Sequence, residues 1–160
     1  MSRFVIAGVV AAVLAGPSAA REEEYVKLIH VETGKALSVA DDSGEAGAKA
    51  VLAKADDGEA QQWKIEKDGE HIKLTNKKSG KVLDVFEDSK DEDAAIIQWD
   101  DKSEGSDNQR WSWDGGGTER RLKSKSSGLV VAPDKDGNIV QKKPEEKEKT
   151  QLWKVVPVKK

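Results

Sequence analysis

The stretch SDNQRWSW, Ser106 to Trp113, holds two of the chain's five tryptophans. Its centre, Gln109-Arg110-Trp111, recurs as Gln61-Gln62-Trp63 and as Gln151-Leu152-Trp153. A phrase repeated three times points to a repeat architecture, so periodicity is the first thing to establish. A Gly-centred phrase precedes each Trp phrase: Thr33-Gly34-Lys35-Ala36-Leu37, Ser79-Gly80-Lys81-Val82-Leu83 and Ser127-Gly128-Leu129-Val130-Val131. Ahead of each lies a strand-like run, at Val26–Ile29, Ile72–Thr75 and Arg121–Ser124. Between Gly and Trp lies an apolar pair: Val51-Leu52, Ile96-Ile97 and Ile139-Val140. The glycines are 46 and 48 residues apart and the tryptophans 48 and 42.

Three units of about 45 residues follow, at 24–69, 70–117 and 118–160. Each reads as about four short strands with turn-rich joints, and long helical periodicity is absent. The Gly of each unit stands between two strand-like runs, where a turn needs an unhindered backbone. One unit cannot bury its apolar side alone, so three must close on each other. A propeller typically needs about four to eight blades. The expectation is an all-β, closed structure with pseudo-threefold symmetry.

Composition agrees with one folded domain over 21–160. The net charge of −3 excludes a broad basic footprint for nucleic acid. The chain has no cysteine, which excludes disulfides, thiolate metal sites and cysteine nucleophiles. Residues 1–20 read differently. Arg3, the apolar or small run Phe4–Gly16 and the small residues Pro17-Ser18-Ala19-Ala20 have the layout of a secretory signal peptide cleaved after Ala20. Thirteen apolar residues are too few to span a bilayer core of about 30 Å. The expected destination is the periplasm or the exterior, with no membrane span after the leader is removed.

With the three Gln-x-Trp phrases, the Gly turns and the apolar pairs in place, the chain resembles the ricin-type lectin family of β-trefoils over 24–160. The resemblance implies twelve short strands, with a six-stranded barrel capped by three hairpins.

The repeats also separate framework from site. Trp63, Trp111 and Trp153 are shared, each with an apolar partner two residues on: Ile65, Trp113 and Val155. Period-two alternation puts each pair on one face, so Trp63, Trp111, Trp113 and Trp153 are expected in the core. Gln61, Gln109 and Gln151 are shared too, and a buried amide must be hydrogen-bonded, which suits a brace better than a ligand contact.

What is not shared is more telling. Four positions after the Gly stand Ser38, Asp84 and Ala132; three before the core Trp stand Ala60, Asn108 and Thr150. Counting two beyond the apolar pair sets Trp99 against Lys54 and Lys142, and counting back from the core Trp sets it against Val51 and Gln141. Either way the middle unit alone has an aromatic. By resemblance, Asp84 accepts bonds from two sugar hydroxyls, Trp99 stacks under the sugar's apolar face, Asn108 bonds a further hydroxyl, and Gln109 mainly supports Asp84. The chemistry suits a sugar, whose apolar face matches a Trp plane and whose hydroxyls match a carboxylate and an amide. Ile97 departs from the family pattern, which often has a polar residue two before the aromatic. The plainer alternative makes Asp84 a turn cap, Asn108 a loop residue and Trp99 a surface hydrophobe or core filler.

The acidic run Glu87–Asp93 lacks EF-hand spacing and reads as a solvated loop at the rim of Asp84 and Trp99. His30 and His71 have no partner at metal spacing, and no phosphate loop or nucleophile elbow occurs. The sequence therefore implies a secreted, non-enzymatic glycan-binding protein with one site, requiring no cofactor or metal. The alternative is a β-trefoil interaction or inhibitor scaffold without a sugar site, in which Trp99 is buried or points away from Asp84.

Overall fold

A computed structural model describes residues 24–159; the leader-like residues 1–20 lie outside the described residues. Among the described residues there are twelve strands, four to each repeat. Unit one contributes β1 (Val26–His30), β2 (Ala36–Val39), β3 (Ala50–Ala53) and β4 (Trp63–Asp68). Unit two contributes β5 (His71–Asn76), β6 (Val82–Val85), β7 (Ile96–Trp99) and β8 (Trp111–Asp114). Unit three contributes β9 (Arg121–Ser124), β10 (Val130–Pro133), β11 (Ile139–Lys142) and β12 (Trp153–Pro157).

Six of these strands close into a barrel in the order β1, β4, β5, β8, β9, β12. The two strands inside each unit meet at equivalent points: Val26 opposite Trp63, Ile72 opposite Trp111, Arg120 opposite Trp153. The other strands form three hairpins, β2–β3, β6–β7 and β10–β11. Single bridges join the hairpins to one another, at Lys49–Ile97, Ala95–Val140 and Val51–Asn138. A barrel capped by three mutually bridged hairpins is a β-trefoil.

The repeated glycines make the turn that lifts the chain from barrel to cap. Gly34, Gly80 and Gly128 adopt φ of +69°, +68° and +73°, and each donates its N–H to the carbonyl four residues back. A Cβ at any of the three would meet nothing within 4 Å, so conformation, not space, demands Gly there.

The core repeats with the same fidelity. Leu28, Leu74 and Leu122 are fully buried, as are Trp63, Trp111 and Trp153 to within 1%. Each tryptophan indole N–H donates to the carbonyl three residues after its unit's turn glycine: Leu37 O at 3.0 Å, Leu83 O at 3.2 Å and Val131 O at 3.1 Å. A buried indole donor needs such a partner. Trp113, expected in the core, packs against it from the edge. It is half-buried, as Ile65 is, with the Arg120 guanidinium 4.7 Å from its ring centroid.

Candidate functional site

Asp84 sits in β6 opposite Ile97 of β7, with its side chain almost wholly buried. One carboxylate oxygen, Oδ1, accepts from Asn108 Nδ2 at 3.0 Å; the other, Oδ2, accepts from Gln109 Nε2 at 2.8 Å. Asn108 and Gln109 are brought there by a single 3-10 turn, Asp107–Gln109, just ahead of β8. Asn108 Nδ2 also donates to Val85 O at 3.0 Å. Its Oδ1 accepts from Lys102 Nζ at 3.0 Å, and that ammonium lies 3.8 Å from Asp84 Oδ2. Burial pushes the Asp84 carboxyl above the usual carboxylate range, against the pull of Gln109, Lys102 and Asn108.

Trp99 ends β7, is 41% exposed, and lines one pocket of about 330 Å³ with Asp84, Asn108 and Lys102. Three residues separated in sequence are therefore brought together: Asp84 and Asn108 at the pocket floor, Trp99 at its mouth. Gln109 stands behind Asp84 rather than in the pocket lining.

The glutamines explain the repeated phrase. Gln61 clasps the chain through Lys54 O at 2.7 Å and Asp56 N at 3.0 Å. Gln109 does so through Asp100 O at 2.9 Å and Lys102 N at 3.0 Å, and Gln151 through Lys143 O at 2.7 Å and Glu145 N at 2.9 Å. Each grips a carbonyl and the amide two residues on. Gln109 alone has an added carboxylate partner, Asp84, so one framework residue has been given a second task.

Strand register corrects one alignment. Val82 pairs with Trp99, Ala36 with Ala53, and Val130 with Lys142. The unit-one counterpart of Trp99 is Ala53, neither Lys54 nor Val51, while Lys142 stands in unit three. Counting failed because the apolar pair shifts by one residue in unit one, where Ala50 occupies the place of Ile96. Ile97 likewise corresponds to Val51 and Val140, so its apolar character belongs to the framework. A hollow occurs at the unit-one position too, but Ser38, Ala53 and Gln61 line it without carboxylate or aromatic at the places of Asp84 and Trp99.

Chemically, each Asp84 oxygen keeps a lone pair for a hydroxyl donor. Asn108 commits both amide hydrogens inside the protein, so toward a ligand it offers Oδ1. Lys102, whose ammonium has three protons, is a donor in the pocket that sequence reading missed. Its signal was the spacing from the Trp99 position to the core Trp: 12 residues in unit two against 10 in unit one and 11 in unit three. Phe86, exposed in the same pocket, was also missed, although the repeats set it against Ala40 and Asp134. Of the acidic run Glu87–Asp93, only Glu87 and Asp88 line the pocket, with Asp88 bonded to Lys90 and Ser126, while Glu92 and Asp93 pair with Lys143 and Lys142 of unit three. Among the described residues no three His, Cys, Asp or Glu side chains are grouped to hold a metal ion. No helix of the described residues is long and apolar enough to cross a membrane.

The twelve strands in three repeats define the chain as a β-trefoil. The ricin-type beta-trefoil lectin domain-like family model matches residues 13–99, and the chain belongs to that family. Among solved structures it is similar to ThreeFoil, a designed 3-fold symmetric protein, at 31% identity and a TM-score of 0.77, covering 82% of this chain and 97% of that one. It is equally similar to an exo-β-1,3-galactanase from Clostridium thermocellum, at 31% identity and a TM-score of 0.77, covering 88% of this chain. The chain spans only 31% of that enzyme's length. A Polyporus squamosus lectin, solved with the epitope Neu5Acα2-6Galβ1-4GlcNAc, shares the fold at 19% identity and a TM-score of 0.72, covering 86% of this chain and 50% of the lectin. No curated protein sequence matches.

Proposed function

We propose that this protein is a secreted, non-catalytic glycan-binding protein with one sugar site, in the middle repeat, for galactose-like or related sugars. The observation that carries the reading is convergence: Asp84, Asn108 and an exposed Trp99 line one open pocket, and they are the set that units one and three lack. Asp84 accepts from the sugar's hydroxyls, Lys102 donates to its oxygens, and Trp99 takes its apolar face. Gln109 and Asn108 hold the carboxylate in place. The leader-like residues 1–20 support export. A shallow single site suits a dissociation constant near 1 mM, or about −4 kcal/mol.

The test is a calorimetric sugar titration of residues 21–160, repeated on Trp99→Ala. Ala53 already fills this position in unit one, so the variant should fold. Binding is expected in the parent and lost in the variant, with the melting temperature nearly unchanged. Absence of binding by any hexose or amino sugar, or undiminished binding by Trp99→Ala, sinks the reading.

A further inference from the structure

Phe86 follows β6 directly, two residues beyond Asp84, and is 45% exposed in the same pocket as Trp99. Among the described residues only Phe86, Trp99 and Val156 are large apolar side chains left so open, and two of the three meet here. The framework does not explain Phe86. Its backbone N–H donates to Ala95 O at 3.0 Å, as that of Ala40 does to Lys49 O at 2.9 Å. By strand register the same position is Ala40 in unit one and Asp134 in unit three. An aromatic that the fold can replace by Ala or Asp, and that water would rather see covered, is available to a ligand.

A hexose ring presents one apolar face, and Trp99 suffices for it. A second aromatic surface in the pocket, beside Ile97, calls for an apolar group attached to the ring. The polar neighbours narrow that group further. Glu87 and Asp88 supply acceptors and Lys102 supplies a donor. An N-acyl group carries a methyl, an N–H and a carbonyl, and so matches an aromatic, a carboxylate and an ammonium together. An alkyl substituent would use the aromatic alone.

We propose that the middle-repeat pocket selects an N-acylated amino sugar, with Phe86 receiving the acyl methyl while Trp99 and Asp84 hold the ring. The proposal rests on the sugar-binding reading above and narrows its ligand class.

The experiment titrates galactose and glucose, each as the parent sugar and as its N-acetyl-2-amino form, into the parent protein, Phe86→Ala and Phe86→Leu. The parent should bind one N-acetyl sugar at least roughly fourfold more tightly than the matching hexose, the factor expected from burying one methyl-sized group. Phe86→Ala should lose the preference for the N-acetyl sugar over its matching hexose, and Phe86→Leu should keep part of it. Melting temperatures of both variants should match the parent, since Ala40 shows that the turn accepts a small residue. Equal affinity for the paired sugars, or a preference that survives in Phe86→Ala, overturns the proposal while leaving sugar binding intact. If none of the four sugars binds, both readings fall.

Discussion

Asp84 concentrates the chemistry of the pocket in one ionisable group. Its folded-state pKa is raised, chiefly by burial, so in the window between its unfolded and folded pKa values the native state binds more protons than the unfolded chain. Stability from this group is therefore fully present below the unfolded pKa and lost as pH rises through the folded one. Ligand binding runs the other way, because only the carboxylate accepts from two hydroxyls. On acidification, sugar affinity should begin to fall above the usual carboxylate range, while the parent gains stability relative to Asp84→Ser, the residue that Ser38 provides in unit one. Titrations and denaturant melts across the acid range check both trends; a parallel fall of affinity and relative stability would contradict them. Asp84 and Asn108 were legible in the sequence because they break a repeated pattern at fixed distances from Gly80 and Trp111. Lys102 was not, because its loop has no counterpart of equal length. Nor could sequence reveal that both Asn108 amide hydrogens are used internally, since that depends on a side-chain rotation.

The strand β7 that presents Trp99 is held from the neighbouring repeat. Gly47 N donates to Gln98 O at 2.8 Å, Gln98 N to Ala48 O at 2.9 Å, and Gln98 Nε2 to Ser43 O and Glu45 O at 3.0 and 2.8 Å. Gly47, at φ +88°, packs beside the indole: a Cβ there would stand at ordinary contact distance, 3.5 Å from Trp99 Cζ3. One repeat further on, Asp93 N donates to Gln141 O in the same way, at φ +64°, and Lys142 stands in Trp99's place. There the Gly–Trp contact is replaced by the Lys142–Asp93 ion pair. Gly47→Asp should accordingly weaken sugar binding several-fold without altering a ligand-contacting residue, since Asp93 shows that the backbone tolerates the change. Gly47→Asp with Trp99→Lys should melt no lower than Gly47→Asp alone and bind no sugar. Unchanged affinity in the single variant would show that the neighbouring loop does not set the indole's position. This coupling was invisible in the sequence, and so was the register that identifies Ala53 with Trp99. Both are decided by hydrogen bonds between segments whose separations differ from unit to unit.

At the level of the whole molecule, the three units answer to one core. Trp63, Trp111 and Trp153 are equally buried and equally bonded, so each change to Ala should cost about 3–5 kcal/mol of unfolding free energy. Because the extended barrel pairings β4–β5, β8–β9 and β12–β1 each join neighbouring units, each variant should still unfold in a single transition. Chemical denaturation followed by tryptophan fluorescence and circular dichroism checks this; a separate transition for one unit would show that the repeats are energetically independent. The threefold plan was the most legible feature of the chain, because a period of some 45 residues with a turn glycine and a core tryptophan survives any local change in loop length. The half-burial of Trp113 was not legible in the same way: alternation says which face a side chain takes, not how far the core extends along that face.

The closing seam of the barrel pairs β1 with β12, and the Val158 amide donates to the Tyr25 carbonyl at 2.9 Å. The first and last described strands are thus ordinary neighbours, like β4 and β5 or β8 and β9. Nothing in the strand pairing marks where the circle begins. A chain with Tyr25 and Val158 joined by a short linker and reopened at the Gly115–Gly117 turn would keep every strand pair, and the pocket of the second unit would then lie at the end of the polypeptide instead of its middle.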